Sequence, residues 1–148
     1  MIRRAALADV VRLVELGSRF LRETAYATDI PVVDPVRLDQ WATQIVAGQA
    51  GLDSVVFVDT REDVIVGMIG LFIYPSPLTG EIEAIETFWW VEPEHRGRGL
   101  RLIVAAEQWA RESGALTLRM IAPTPAVERL YERLGFRRIE ASYVRAMP

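Results

Sequence analysis

The chain lacks cysteine, and His95 is its only histidine. Without cysteine there can be no disulfide framework, no thiolate nucleophile and no zinc site built on cysteine. A single histidine also excludes a histidine-rich metal site, so we expect no metal. A cysteine-free chain is consistent with the cytoplasm, which is the location that we expect.

Long apolar runs are also missing. The longest spans residues 64–74 and contains two glycines, whereas a membrane-spanning helix needs about 20 apolar residues. Behind the charges of Arg3 and Arg4 there is no long apolar stretch, so we expect no signal peptide. These features predict a soluble intracellular domain.

The chain also lacks a large excess of either positive or negative charge. Seventeen basic residues face twenty acidic ones, and the formal net charge is −3. Such a chain has no global field that would attract nucleic acid, so any anion binding must be local. A length of 148 residues predicts a single domain over residues 1–148.

The spacing of apolar residues and chain breakers predicts the order strand, helix, helix, three strands, helix, strand, helix, strand. The predicted strands are residues 1–5, 55–59, 64–74, 82–91, 115–121 and 136–146. The predicted helices begin after the caps Asp9 and Asp34, near Gly99 and after the cap Thr124, and residues 25–34 are interpreted as a loop. Hairpin-like connections in the first half predict antiparallel strands, and strand-helix-strand units in the second half predict parallel ones. The expected fold is α/β (α+β), a mixed central sheet with a parallel pairing of the fourth and fifth strands at its centre and about four flanking helices.

Positive charge and glycine are concentrated where the third predicted helix begins. The stretch EHRGRGLRL holds three arginines and two glycines: Arg96, Gly97, Arg98, Gly99 and Arg101. A helix start offers free N–H groups and a partial positive charge, which suit phosphate. The glycines would let a ligand approach the backbone, and the arginines would add charges. The pattern is neither a Walker A motif nor the dinucleotide fingerprint, and a solvated basic turn remains the alternative.

Two motifs carry a resemblance to a known family. Residues 91–100, VEPEHRGRGL, resemble the acetyl-CoA motif V-x-P-x-x-R-G-x-G-x-G/A of the GCN5-related N-acetyltransferase (GNAT) superfamily. Residues 130–136, LYERLGF, resemble its L-Y-x-x-x-G-F element. The order of elements also matches, so the resemblance covers essentially the full chain. It departs from the pattern at Arg101, which replaces the closing Gly/Ala, and at Thr124 and Val127, which replace the usual Asn and Ala.

The resemblance implies an acyltransferase that moves an acetyl group from acetyl-CoA directly to a primary amine of a small molecule or peptide, in a ternary complex. Members of the superfamily often pair, which would make a homodimer. The pantetheine arm would follow the end of the fourth strand, where a bulge opens the sheet, and the pyrophosphate would meet the turn that follows. The implied cofactor contacts are Trp89, Trp90, Val91, Arg96, Gly97, Arg98, Gly99, Leu100, Arg101 and Thr124.

Tyr131 is the candidate general acid. A phenol with the ordinary pKa of about 10 is protonated at neutral pH and can give its proton to a leaving thiolate. The same tyrosine lies on an apolar helix face, so a purely structural role in the core is the alternative. The motif match favours the catalytic position.

The general base is either Glu83 or Glu86. By resemblance, Glu83 has the offset from Gly97 that the base has in histone-modifying members. Strand alternation places Glu86 on the side of Phe88 and Trp90, where burial would raise its pKa. Either carboxylate could instead be a solvated residue at a strand edge.

Two features of the sequence bear on the identity of the acceptor. Adjacent strand residues point to opposite faces, so at most one of Trp89 and Trp90 lines an acceptor pocket. The loop of residues 25–33, which by resemblance selects the acceptor, has Asp29 as its one charge and favours a small or moderately apolar amine. Two other hypotheses stay open: an inactive acyl-CoA sensor, and nucleic-acid contact through the arginines at 96, 98, 101, 137 and 138, which the net charge opposes.

Overall fold

A computed structural model describes residues 1–24, 26–29, 33–48, 53–145 and 147. The strands are β1 (Ile2–Arg4), β2 (Asp53–Arg61), β3 (Val64–Pro75), β4 (Ile82–Val91) and β5 (Thr117–Arg119). The helices are α1 (Val10–Glu23), α2 (Tyr26–Asp29), α3 (Pro35–Ala47), α4 (Leu100–Glu112) and α5 (Pro125–Arg133), with 3₁₀ turns at Leu7–Asp9 and Pro93–Arg98. Each helix in this part of the chain falls short of the length and hydrophobicity that a membrane span requires.

The five strands form one sheet in the order β1-β2-β3-β4-β5. The first four strands pair antiparallel, and β4 pairs parallel with β5. The predicted mixed sheet is therefore confirmed. The described residues hold five α-helices rather than about four, because residues 26–29 of the predicted loop form one helical turn. Ala25 and residues 30–32 of that loop lie outside the described residues.

Both faces of the sheet bury a hydrophobic core. On one face, α1 and α3 cover apolar side chains of β2, β3 and β4, and on the other face α4 does so. The first core includes Leu13, Leu16, Ile45, Val56, Met68, Phe88 and Trp90. The second includes Val55, Ile69, Leu71, Val91, Leu102, Ala106 and Trp109. Adjacent residues at the end of β4 thus enter different cores, as the pleat of a strand requires.

Two of the predicted helix caps are confirmed. The Asp34 carboxylate accepts a hydrogen bond from the Val36 N–H at 2.9 Å, and the Thr124 hydroxyl accepts one from the Val127 N–H at 3.4 Å. Each cap satisfies a backbone donor that the first helical turn leaves free. Thr124 therefore fixes the start of α5, which carries Tyr131.

The third predicted cap, Asp9, behaves differently. α1 begins at Val10 as expected, but the Asp9 side chain makes no capping bond to it. The carboxylate accepts from the Ala6 N–H at 2.8 Å and pairs with Arg3 at 2.7 Å. It thereby closes the preceding 3₁₀ turn and ties that turn to β1.

The predicted final strand, residues 136–146, is wrong for the described part of that segment. Residues 136–145 form no strand, and Ile139 and Tyr143 are 56% and 95% exposed. Alternating apolar residues make a strand only where one face has a core to cover, and here only Phe136 finds one, 5.5 Å from the Tyr131 ring. β5 therefore forms an edge of the described sheet, and at three residues it is shorter than predicted.

Candidate active site

β4 contains a bulge in its middle. Gly70 of β3 faces Phe88, but the next residue, Leu71, faces Glu86, so Thr87 is an extra residue on β4. The Thr87 hydroxyl donates to the Gly70 carbonyl at 3.0 Å and holds the bulge in place. The bulge that the family resemblance implied is therefore present.

The bulge corrects the predicted side of Glu86. Directly opposed residues in a sheet share a face, and Leu71, the partner of Glu86, belongs to the core under α4. Phe88 and Trp90 belong to the core under α1 and α3. The expectation that Glu86 shares its side with those two residues is thus wrong, because simple alternation cannot account for the extra residue at Thr87.

β4 and β5 separate just before the bulge. Their last register pair is Ile85 with Arg119, so from Glu86 onward one edge of β4 has no partner strand among the described residues. The Glu86 carboxylate crosses the gap and accepts a hydrogen bond from the Ile121 N–H at 2.8 Å. Such a free edge can pair with the amide groups of an extended ligand.

Glu86 is the most perturbed carboxyl of the site. Only 3% of it is exposed, and burial raises the pKa of Glu86 to about 8, although the Ile121 N–H opposes the shift. Proton exchange is most effective when the pKa of the group lies near the working pH. Glu86 is therefore suited to accept and return a proton.

Tyr131 binds the backbone of the same residue, Ile121. Its hydroxyl donates to the Ile121 carbonyl at 3.4 Å, and its buried ring stacks on Trp89 at 5.8 Å and 28°. Burial, and then the charge of Glu86, raise the pKa of Tyr131 above its ordinary value, so the phenol stays protonated. The backbone N–H and carbonyl of Ile121 thus bind a carboxyl and a phenol, respectively.

Glu83 lies in a different setting. Its carboxylate accepts from the Tyr74 hydroxyl at 2.9 Å and pairs with Arg119 at 3.1 Å. This ion pair links β3, β4 and β5 where all three strands are still joined. Of the two predicted bases, only Glu86 shares a backbone partner residue, Ile121, with Tyr131.

The two glycines of the arginine-rich turn have different roles. A Cβ built on Gly97 would meet no atom within 4 Å, so the backbone there faces open space. A Cβ built on the buried Gly99 would lie 2.8 Å from Cζ2 of Trp89 and 3.3 Å from Cγ2 of Val91. Gly99 is therefore required for packing beneath α4, a reason that the sequence did not reveal.

Two of the three arginines of the turn contact partners within the protein. Arg98 binds the buried carboxylate of Asp59 at 2.8 Å. The Arg96 guanidinium lies over the Trp90 ring, 5.2 Å from its centroid, and 3.6 Å from Glu23. Arg101 is exposed in the first turn of α4, and no ion pair to it is found among the described residues.

The opposite face of the sheet holds a cavity of about 270 Å³. It lies between the bulge of β4 and the helices α1, α2 and α3, and its lining is mostly apolar. The principal lining residues are Phe20, Tyr26, Trp41, Met68, Thr87 and Phe88. Neither Trp89 nor Trp90 lines it: Trp89 lies on the α4 face, and Trp90 packs against Phe20 with ring centroids 6.3 Å apart. We call this space the bulge cavity.

The family model for Acetyltransferase (GNAT) matches residues 20–136. The chain belongs to the GNAT family. The comparison with curated proteins gave no match.

Solved structures share the whole fold with this GNAT chain. A transcriptional regulator from Bacillus halodurans C-125 has a TM-score of 0.78 at 20% identity, with 99% of each chain covered. A Trypanosoma brucei acetyltransferase has a TM-score of 0.72 at 25% identity, again with 99% of each chain covered. A predicted acetyltransferase from Clostridium acetobutylicum, solved with acetyl-CoA, has a TM-score of 0.75 at 17% identity and covers 99% of this chain and 95% of its own.

The residues of this GNAT chain fit coenzyme A. The indole N–H groups of Trp89 and Trp90 are buried and have no acceptor in the described part of the chain. Gly97 leaves open space at the turn, and the free edge of β4 offers backbone groups. Within the described residues no group of three or more metal-binding side chains gathers to hold a metal ion.

Sequence reasoning missed two buried carboxylates that support the site. Glu92 accepts from Arg12 at 2.9 Å and from Arg19 at 2.7 Å, which ties α1 to the end of β4. Asp59 ties β2 to the arginine-rich turn. The available signal was an acidic residue next to an apolar strand, because such a charge needs a partner when it is buried.

Proposed function

We propose that the protein is an N-acetyltransferase that moves an acetyl group from acetyl-CoA to a primary amine in a ternary complex. The observation that carries the proposal is that Glu86 and Tyr131 both bind the backbone of Ile121. Its N–H binds Glu86 and its carbonyl binds Tyr131, at the point where β4 gains a free edge. A candidate base and a candidate acid therefore lie together beside the only stretch of β4 that has an unpaired side among the described residues.

Coenzyme A would be held by the chain in two places. The backbone of residues 89–91 would pair with the pantetheine arm along the free edge of β4. The N–H groups around Gly97 and the start of α4 would bind the pyrophosphate, with Arg101 as an additional positive charge. Arg96 and Arg98 would contribute through their backbone, because their side chains already contact Trp90 and Asp59.

Acetyl-CoA supplies an activated acetyl thioester, and side chains of the protein transfer the protons. Glu86, in its ionised form, takes the proton from the amine nitrogen as the new N–C bond forms. Tyr131 gives its phenolic proton to the sulfur as the C–S bond breaks. The proton on Glu86 then returns to the Tyr131 oxygen, so the products are the amide and free coenzyme A, and the enzyme is restored.

Two readouts test the proposal. Acetyl-CoA at 100 times its dissociation constant should stabilise the chain by about 2.7 kcal/mol, which thermal unfolding detects. Thiol release should then require an added amine. The chain has neither cysteine nor lysine, so it contributes no thiol to the assay and no ε-amine as an acceptor.

Each outcome has a distinct meaning. No stabilisation by millimolar acetyl-CoA would overturn the proposal. Stabilisation without thiol release across a panel of primary amines would leave an acyl-CoA sensor. Retention on nucleic acid is not expected, because Arg96, Arg98 and Arg138 are paired with Glu23, Asp59 and Glu128.

A further inference from the structure

The bulge cavity is shaped by aromatic rings. Trp41 of α3 meets Phe88 edge to face, with centroids 5.2 Å apart at 67°. Phe20 and Tyr26 meet at 5.6 Å. An aromatic ligand lying against these rings would gain further edge-to-face or offset-stacked contacts.

The chemistry of the lining excludes charged ligands. None of the lining residues in the described part of the chain is an acid or a base. A carboxylate or a second ammonium placed there would lose its water and gain no partner, which costs several kcal/mol. The volume of about 270 Å³ exceeds the roughly 150 Å³ in which an engineered apolar cavity binds benzene. It therefore has room for one aromatic ring and a short chain.

The bulge cavity is bounded by the two residues of β4 that follow Glu86. Thr87 and Phe88, which line it, directly follow Glu86 along β4. The charge of Glu86 also reaches Tyr26 in the lining: burial, and then that charge, raise the pKa of the Tyr26 phenol. A ligand body in the cavity would thus end at the bulge, one residue along β4 from Glu86, whose carboxyl lies on the α4 side of the sheet beside the gap between β4 and β5.

We propose that the acceptor is a primary amine on an uncharged aromatic body, held by the bulge cavity with its amine directed at the bulge of β4. The size of the cavity corresponds to a ring joined to the nitrogen by one to three atoms. This inference rests on the proposed acetyl transfer and adds the class of substrate.

Three amines test the substrate class. Thiol release from acetyl-CoA is measured with 2-phenylethylamine, with L-phenylalanine, which adds a carboxylate, and with 1,5-diaminopentane, which replaces the ring by a second ammonium. We expect kcat/KM to be at least about 100-fold higher for 2-phenylethylamine, because the other two bring an unpaired charge into the cavity. Equal or better turnover of either charged amine would overturn the inference.

Two variants of α3 test the site. Trp41 is 40% exposed, so Trp41→Ala removes one cavity wall without opening the core. It should raise KM for 2-phenylethylamine about tenfold through the lost aromatic contacts and leave the affinity for coenzyme A unchanged. Val36→Ala, at an exposed position of the same helix that does not line the cavity, is the matched control. An unchanged KM in Trp41→Ala, with a melting temperature that shows a folded protein, would place the acceptor elsewhere.

The failures of the two proposals are distinguishable. If acetyl-CoA does not stabilise the protein, the proposed function fails before any amine is added. If acetyl-CoA binds and thiol is released with charged amines but not with 2-phenylethylamine, acetyl transfer stands and only the acceptor class is wrong.

Discussion

Glu86 is a single residue whose setting predicts a pH profile. Burial raises the pKa of Glu86 to about 8, so the ionised base becomes fully populated only above that pH. With O-benzylhydroxylamine, which joins a ring to an NH₂ group by two atoms and is already neutral at pH 6, kcat/KM should rise with pH and level off above about 8. Glu86→Gln should lower kcat by about 100-fold or more and abolish this rise. A variant that keeps the same rise would show that another group titrates.

Tyr131 predicts a loss of rate without a loss of binding. Its hydroxyl makes one long hydrogen bond, 3.4 Å to the Ile121 carbonyl, so Tyr131→Phe should change the free energy of unfolding little. Without the proton donor, kcat should fall by about 100-fold, while the Kd of coenzyme A stays the same. Tyr143→Phe, at a residue 95% exposed, is the control for the chemical change. Equal turnover of wild type and Tyr131→Phe would remove the phenol from the reaction.

The sequence identified both candidate proton-transfer residues but could not choose between two glutamates. The motif around Tyr131 depends on local spacing, which the sequence shows directly. The partners of Glu83, Tyr74 and Arg119, come from other strands, and no spacing along β4 shows them. Burial of Glu86 was anticipated, but the face that it occupies was not.

At the scale of the turn before α4, two glycine variants should separate binding from packing. Gly97→Ala adds a methyl group in open space, so stability should change by less than about 0.5 kcal/mol. The affinity for coenzyme A should fall about tenfold if phosphate approaches that backbone. Thermal unfolding and coenzyme A titration measure the two effects, and unchanged affinity would contradict the assigned phosphate site.

Gly99→Ala should act on stability instead. The new methyl group would lie 2.8 Å from the Trp89 ring, and overpacking of this kind costs about 1–3 kcal/mol. Urea unfolding measures the loss. A variant as stable as Gly97→Ala would show that Trp89 is free to move away.

The ion pair between Asp59 and Arg98 connects β2 to the turn. Burial opposes ionisation of Asp59, but hydrogen bonds from Arg98 and from the N-terminal ammonium hold its pKa below the ordinary value. This stabilisation is present above the unfolded pKa and is lost as pH falls through the lower folded pKa. Asp59→Ala removes the carboxylate that accepts from Arg98 and from the N-terminal ammonium, and should lower the free energy of unfolding at pH 7 by about 1–3 kcal/mol, because the Arg98 left behind is reached by water. Asp53→Ala, exposed on the same strand, should have little effect, and equal losses in both variants would refute the role of the pair.

Elements were predicted well where local chemistry decides them. β4 matches its predicted bounds, and α3 and α5 begin at their predicted caps. The segment of residues 136–145 has the apolar pattern of a strand but no neighbouring strand in the described part of the chain. Pairing is a property of the whole sheet, and an isolated segment does not reveal it.

For the whole molecule, the titration of Glu86 should make the free energy of unfolding depend on pH. The folded pKa of Glu86, about 8, lies above the ordinary value of 4.5, so the folded state holds this proton more tightly than the unfolded chain. The stabilisation that results from this tighter proton binding is fully present below pH 4.5 and is lost as pH rises through 8. Above that pH the free energy of unfolding no longer changes through this group. The difference in the free energy of unfolding between Glu86→Gln and wild type should therefore grow from pH 5 to 8. A difference independent of pH would contradict the buried, proton-holding state.

The proposed proton-transfer residues and the bulge cavity lie on opposite faces of the sheet. The α4 face carries Glu86 and Tyr131, and the α1–α3 face carries the bulge cavity. Among the described residues, the sheet between them opens where β4 leaves β5. Ligands that enter from opposite sides can thus meet at one gap.

Thr87 decides which side each group serves. If this extra residue entered the regular pleat, everything upstream of it on the strand would rotate by half a turn relative to Phe88. The acid at position 86 would then be directed toward the bulge cavity, away from the phenol. Deleting Thr87 would not cause this exchange, because Glu86 and Phe88 would become neighbours on an unbroken strand and would still point to opposite faces. The position of the acid therefore depends on how the chain accommodates one surplus amino acid.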